Sequence, residues 1–158
     1  MKVMIVEDQA MIRSLLESYF REEDGHKIAA SIPSAKQAVE LCKKTPADLI
    51  LMDVQTEHRE NGLTAVREIK ALHPKIKIIV VTSLIDGAVL DEAKAAGAES
   101  LWYKDSARDR LMDVVNKTMN GEHIFPDTPP VVNIGMAKST EFTKTELKVL
   151  RYLLRGLS

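Results

Sequence analysis

Five short apolar runs punctuate the chain up to residue 103: KVMIV (2–6), KIAAS (27–31), LILM (49–52), IKIIVV (76–81) and SLWY (100–103). Runs of this length between polar or glycine-containing segments predict buried strands, and the Ala-rich second run is the weakest. The intervening segments have a different rhythm. In MIRSLLESYF (11–20), apolar pairs recur at Met11/Ile12, Leu15/Leu16 and Tyr19/Phe20, which lays a stripe along a helix. SAKQAVELCKK opens on Ser34, a good N-cap, and LTAVREIKAL follows Asn61-Gly62. AVLDEAKAAG and ARDRLMDVVNKTMNG close on Gly97 and Gly121, where helices commonly stop.

Strand and helix alternating in this way predict βαβ units, hence an α/β fold with a parallel sheet and helices on both faces. Five units suit the doubly wound, flavodoxin-like strand order 2-1-3-4-5, whose ligands sit outside the carboxyl ends of the strands. From Glu122 to Glu141 the periodicity lapses, and DTPPVVNIGMAKSTE reads as a linker. Order returns in FTKTELKVLRYLLRGLS: Thr143 and Glu146 have the spacing of a capping box, and Phe142 and Leu147 that of a hydrophobic staple. Leu147, Leu150 and Leu153/Leu154 continue as a helical stripe up to Gly156. The chain thus divides into a main domain over 1–121, a linker over 122–141 and a terminal helix over 142–158.

Composition adds little to the class and something to the division of labour. Over 158 residues, 45% are hydrophobic and 28% charged, the balance of an ordinary globular protein. The net charge of −1 is uneven: residues 1–125 carry 17 basic and 20 acidic groups, whereas residues 138–158 carry five and two. Cys42 is alone, which excludes an internal disulfide, fits a reducing compartment and suggests a packed thiol. No apolar run approaches membrane-spanning length and MKVMIVED is no signal peptide, so a cytoplasmic protein without a membrane partner is expected. His26, His58, His73 and His123 lack ligand spacing and read as surface residues, and Trp102 as strand packing.

The chemistry lies at the predicted strand ends. The first strand runs into Glu7-Asp8, the third into Asp53, the fourth into Thr82-Ser83 and the fifth into Lys104. In a parallel sheet these ends share one edge. Three carboxylates gathered there repel one another by about 1 kcal/mol per pair in water, and by more where partly buried. A hard divalent cation that takes oxygen ligands removes the conflict, and Mg²⁺ fits best. A carboxylate beside such an ion is a known nucleophile toward phosphorus, with Lys104 and the Thr82 hydroxyl suited to phosphoryl oxygens.

VMIVEDQ, LILMDV, IIVVTS and AGAESLWYKD resemble the receiver domain of bacterial two-component response regulators, over residues 1 to about 121. The resemblance implies that Asp53 accepts a phosphoryl group from a sensor histidine kinase. It also implies that Asp8 and Asp53 hold Mg²⁺ directly, Glu7 through water, and the Gln55 backbone carbonyl as a further ligand. Thr82 and Lys104 would close on the phosphoryl group and shift the face made by the fourth helix, fifth strand and fifth helix, with a homodimer formed on activation. The tail is similar to the first helix of a LuxR-type helix-turn-helix domain. Its end at Ser158 leaves no recognition helix, which implies a truncated product, with DNA binding and transcription control belonging to a full-length parent.

Two places depart from the family pattern. The family usually has Met-Pro at the third and fourth positions after the aspartate and glycine at the eighth; here Thr56-Glu57 stand there, and Gly62 is ninth. Leu101 occupies the position of the usual switching aromatic, with Trp102 and Tyr103 displaced toward Lys104. Two rival readings stay open. One is a degenerate receiver that binds a partner without phosphorylation. The other is a Mg²⁺-dependent phosphatase of the haloacid-dehalogenase kind, which wants a second aspartate where Gln55 stands.

Overall fold

The computed structural model describes residues 1–21, 25–45, 47–83, 86–104 and 108–126, with short pieces at 133–134, 137–138, 143, 145–146 and 149. The apolar runs form five strands: β1 (Lys2–Val6), β2 (Lys27–Ile32), β3 (Leu49–Asp53), β4 (Lys77–Thr82) and β5 (Ser100–Tyr103). They make one parallel sheet in the order β2-β1-β3-β4-β5, as the alternation predicts. The helices between and after them are α1 (Ala10–Arg21), α2 (Ala35–Cys42), α3 (Gly62–Leu72), α4 (Gly87–Ala96) and α5 (Arg108–Met119).

Successive strand residues point to opposite sides of a sheet, so each apolar run feeds two cores. Val3, Ile5, Leu49, Leu51, Ile79, Val81 and Trp102 pack with Leu16 and Phe20 of α1 and with Leu111 and Val115 of α5. Met4, Val6, Ile50, Met52, Ile78, Val80 and Leu101 face α2, α3 and α4 through Val39, Val66, Ile69 and Leu90. Every residue of the central strand β3 is buried, Asp53 included. That is why its sequence is continuously apolar rather than alternating.

The half-buried strand β2 lies at one edge and pairs with β1 through a register shift between Val3 and Met4. At the other edge, residues after α5 return along β5. The Leu101 amide donates to the Ile124 carbonyl (2.9 Å) and the Ile124 amide to Ser100 Oγ (3.0 Å). Phe125 packs on the α4 side, with Lys94 Nζ 5.2 Å from its ring centroid.

The caps behave as their residue types suggest. Ser34 accepts the Gln37 amide, Asn61 those of Leu63 and Thr64, and Asp86 that of Ala88. Gly97 ends α4 at φ 90°, a left-handed conformation glycine adopts freely. The α1 stripe is narrower than its apolar pairs suggest: Leu16 and Phe20 are buried, but Met11 is 81% and Leu15 47% exposed. His26 is not a surface residue; it is half-buried, its ring edge-on to Phe20 at 5.7 Å. Cys42 is buried, and burial pushes its thiol pKa up, as expected of a packed residue.

The chain separates into two compact units, Met1–Asp127 and Thr128–Ser158. In the second, Asn133–Ile134 and Ala137–Lys138 form a short antiparallel ladder. The capping box is present there: the Thr143 amide and hydroxyl each donate to Glu146 Oε2 (2.7 Å), and the Glu146 amide donates to Thr143 Oγ1 (3.3 Å). The predicted staple of Phe142 with Leu147 and the leucine stripe up to Gly156 lie outside the described residues.

Candidate functional site

Strand register brings the predicted polar residues to one edge. Val6 is level with Met52, so Glu7 comes off β1 beside Asp53 at the end of β3. Asp53 pairs with Val81, which leaves Thr82 one residue further along β4, and Thr82 pairs with Tyr103, after which comes Lys104. The Lys104 amide donates to the Thr82 carbonyl (3.0 Å), tying the last two strand ends together.

The side chains converge as the register requires. Lys104 Nζ lies 2.5 Å from Glu7 Oε2 and 3.1 Å from Asp53 Oδ2, with all three side chains largely buried. Glu7, the less buried Asp8 and Asp53 each offer a carboxylate oxygen within 4.8 Å of the others. Glu7 Oε1 also accepts the Gln9 amide (3.0 Å). Thr82 is buried at the same edge, and Gln55 is half-buried two residues past Asp53.

Lys104 is one ammonium against two buried carboxylates, with the more exposed Asp8 beside them, so acidic groups are in excess. Burial, reinforced by Glu7 and Asp8 and opposed by Lys104, pushes the Asp53 carboxyl up to about 7. Glu7 is raised too, by burial against the pull of Lys104. Burial works against the charge of Lys104, but Asp53 and Glu7 outweigh it and hold the lysine above its ordinary range.

Arg13, which carries no obvious sequence signal, and the loop after Asp53, whose departure from the family pattern the sequence does show, both shape this edge. Arg13 Nη1 reaches back from α1 to donate to the carbonyls of Glu7 (2.7 Å) and Asp8 (3.4 Å). Beyond Asp53, Gln55–Thr56 and Glu60–Asn61 pair as a short antiparallel hairpin. Its turn places His58 and Arg59 at φ 56° and 59°, left-handed conformations that cost a residue with a Cβ about 1–2 kcal/mol each. Gly62 then starts α3, its amide donating to the Val54 carbonyl (2.8 Å).

A doubly wound parallel sheet with acidic groups and a lysine at its carboxyl edge defines a class of α/β domains that work at their strand ends. Within it, the chain belongs to the response regulator receiver domain family, matched over residues 3–116. It is 30% identical to the response regulator protein VraR of Staphylococcus aureus over 162 positions, covering 99% of this chain and 77% of that protein. Among solved structures, it resembles a LuxR-family two-component response regulator from Aurantimonas sp. SI85-9A1 (TM-score 0.73, 23% identity, 78% of this chain and 87% of the other). It is also similar to a DNA-binding response regulator of the LuxR family from Staphylococcus aureus (TM-score 0.70, 23% identity, 75% and 98%). At these identities the two structures speak for the fold. The family match and the relative at 30% identity make the main domain that of a response regulator, a signalling protein.

Proposed function

We propose that the protein is a phosphorylation-controlled switch in which Asp53 receives a phosphoryl group from a sensor histidine kinase. The observation that carries this reading is the Asp53 carboxylate at the end of β3, 3.1 Å from Lys104 Nζ and grouped with Glu7 and Asp8. An Asp53 oxygen attacks phosphorus as the bond to the donor imidazole nitrogen breaks, and the departing nitrogen keeps the electron pair. Lys104 neutralises charge on the phosphoryl oxygens, and the Thr82 hydroxyl hydrogen-bonds one of them. Lys104 would then leave Glu7 for the new anion, and the tie between its amide and the Thr82 carbonyl links that movement to the ends of β4 and β5.

The donor set suits Mg²⁺: three carboxylate oxygens within 4.8 Å of one another, in negative excess over Lys104, which pairs with two of the three groups. Asp8 and Asp53 would hold it directly, with Glu7 through water and the Gln55 carbonyl as a further ligand. When bound, Mg²⁺ supplies positive charge opposite the transferring phosphoryl oxygens.

The same reading assigns 1–121 to the receiver, 122–141 to a linker and 142–158 to the first helix of a LuxR-type DNA-binding domain. Activation would favour a homodimer, and transcription control in the cytoplasm would follow through the DNA contacts of a complete DNA-binding domain. Among the described residues no helix is long and apolar enough to cross a membrane.

The test is incubation with a small phosphodonor and Mg²⁺, followed by intact-mass measurement. One hydroxylamine-labile phosphoryl group is expected on the wild type and none on Asp53→Asn. Labelling that persists in the variant overturns the assignment. A folded wild type that never labels favours the binding-module reading.

A further inference from the structure

The loop after Asp53, residues 54–61, contains no proline, yet it is fastened at both ends. At its far end, the Gly62 amide holds the Val54 carbonyl at 2.8 Å. At its tip, the hairpin grips the start of α2. Glu60 Oε2 accepts hydrogen bonds from Ser34 Oγ (2.8 Å), the Lys36 amide (3.1 Å) and Thr56 Oγ1 (3.4 Å). Thr56 Oγ1 in turn accepts the Ala35 amide (3.0 Å), and the Glu57 amide donates to the Pro33 carbonyl (3.2 Å).

The first amides of a helix have no partner within it, and a carboxylate placed there is favoured by the helix dipole. In α2 the Ala35 and Lys36 amides are satisfied by Thr56 and Glu60, and the Gln37 amide by Ser34. The hydrogen bonds outweigh the burial of the Glu60 carboxyl and hold its pKa below the ordinary value. Gln55 lies on the hairpin arm paired with this clamp, opposite Asn61. Its backbone therefore has a fixed position without a proline to fix it.

We infer that Glu60 is a positioning residue for the metal-binding loop: by clamping the hairpin to α2 it orders the backbone between Asp53 and Gln55 for a divalent cation. The inference rests on the site reading given above. Supporting groups behind metal ligands typically contribute about 10–100-fold in affinity.

The test is a Mg²⁺ titration followed by amide chemical shifts, with hydrogen exchange measured on the same samples. Glu60→Ala is expected to bind Mg²⁺ at least about tenfold more weakly, with faster exchange at the Lys36 and Glu57 amides and unchanged exchange in β3. Glu60→Gln keeps an acceptor oxygen without the charge and is expected to recover most of the affinity. Wild-type affinity in a Glu60→Ala protein whose Lys36 amide has been freed overturns the clamp. Equal losses in Ala and Gln variants also overturn it, because charge rather than position would then be responsible. Should Glu60→Ala not fold, Ser34→Ala removes one donor to the same oxygen; a several-fold loss supports the clamp and an unchanged affinity overturns it. A wild type that takes up no Mg²⁺ fails differently, sinking the site reading and the clamp together.

Discussion

A methyl group on Gly62 would fall 1.8 Å from the carbonyl oxygen of Asp53, with the Asp53 carbonyl carbon at 2.9 Å. The start of α3 is therefore pressed against the backbone of the candidate phosphoacceptor, and backbone cannot swing aside as a side chain can. Gly62→Ala should destabilise the fold by about 1–3 kcal/mol, the usual cost of overpacking, read as a lower urea midpoint. A loss below about 0.5 kcal/mol, within the range of ordinary surface substitutions, would mean that α3 slides away at little cost.

Lys104 is the cation paired with both Glu7 and Asp53. Replacing it by methionine keeps most of the stem and leaves two buried carboxyl groups facing each other. Breaking such a pairing from one side costs about 3–5 kcal/mol while the partners stay charged. Lys104→Met should therefore lose more stability at pH 8 than at pH 5, where protonation relieves the carboxyl groups. Urea unfolding at the two pH values checks this; equal losses would show that the ammonium does not balance charge here.

The raised Asp53 pKa has a definite sign. Its carboxyl moves from an ordinary 3.8 up to about 7 on folding, so between these values the folded state keeps a proton that the unfolded state has released. Stability of the metal-free protein should fall as pH rises from about 4 to about 7, by at most about 1.4 kcal/mol per pH unit for this group, and then level. Glu7 is shifted in the same direction and adds to the slope. Asp53→Asn should flatten the profile and exceed wild-type stability at pH 8. Mg²⁺ competes with that proton, so its affinity should rise with pH up to about 7. A wild-type profile that climbs between pH 5 and 7 in the absence of metal contradicts this account.

The left-handed turn of the hairpin gives a smaller effect. Arg59 sits at φ 59° and is exposed, so its side chain contributes strain without burial. Arg59→Gly removes the Cβ clash but adds freedom to the unfolded chain, and the two effects partly cancel. A gain of up to about 1 kcal/mol in thermal or urea stability is expected. A clear loss would mean that the arginine has a role beyond the turn.

The parts of the fold legible in the sequence are those where burial acts on whole runs. β3 is covered on both faces, so LILM carries no polar interruption until Asp53, and strand ends in one parallel sheet must share an edge. What remained illegible depends on single contacts between distant residues. The grip of Glu60 on Ser34 spans 26 positions and leaves no periodic trace. Arg13 acts through backbone carbonyls, which any neighbouring residue types would present. Adjacent positions on a helix diverge by about 100°, so Met11 and Leu15 turn outward although they look like members of the stripe.

Phe125 offers a local test of how the chain leaves the main domain. Its ring lies half-buried against the α4-side core beneath Lys94, next to the residue whose carbonyl accepts the Leu101 amide. β5 is an edge strand, and an edge amide is protected only while its covering segment stays down. Phe125→Ala removes part of the apolar anchorage and the cation–π contact, about 1–2 kcal/mol together. Local opening should follow before global unfolding, with hydrogen exchange at Leu101 accelerating roughly tenfold or more, since each 1.4 kcal/mol of local stability is a factor of ten. The Ile50 amide in the covered centre of the sheet should exchange as before. Unchanged protection at Leu101 would show that Ile124 holds the edge without help from the ring.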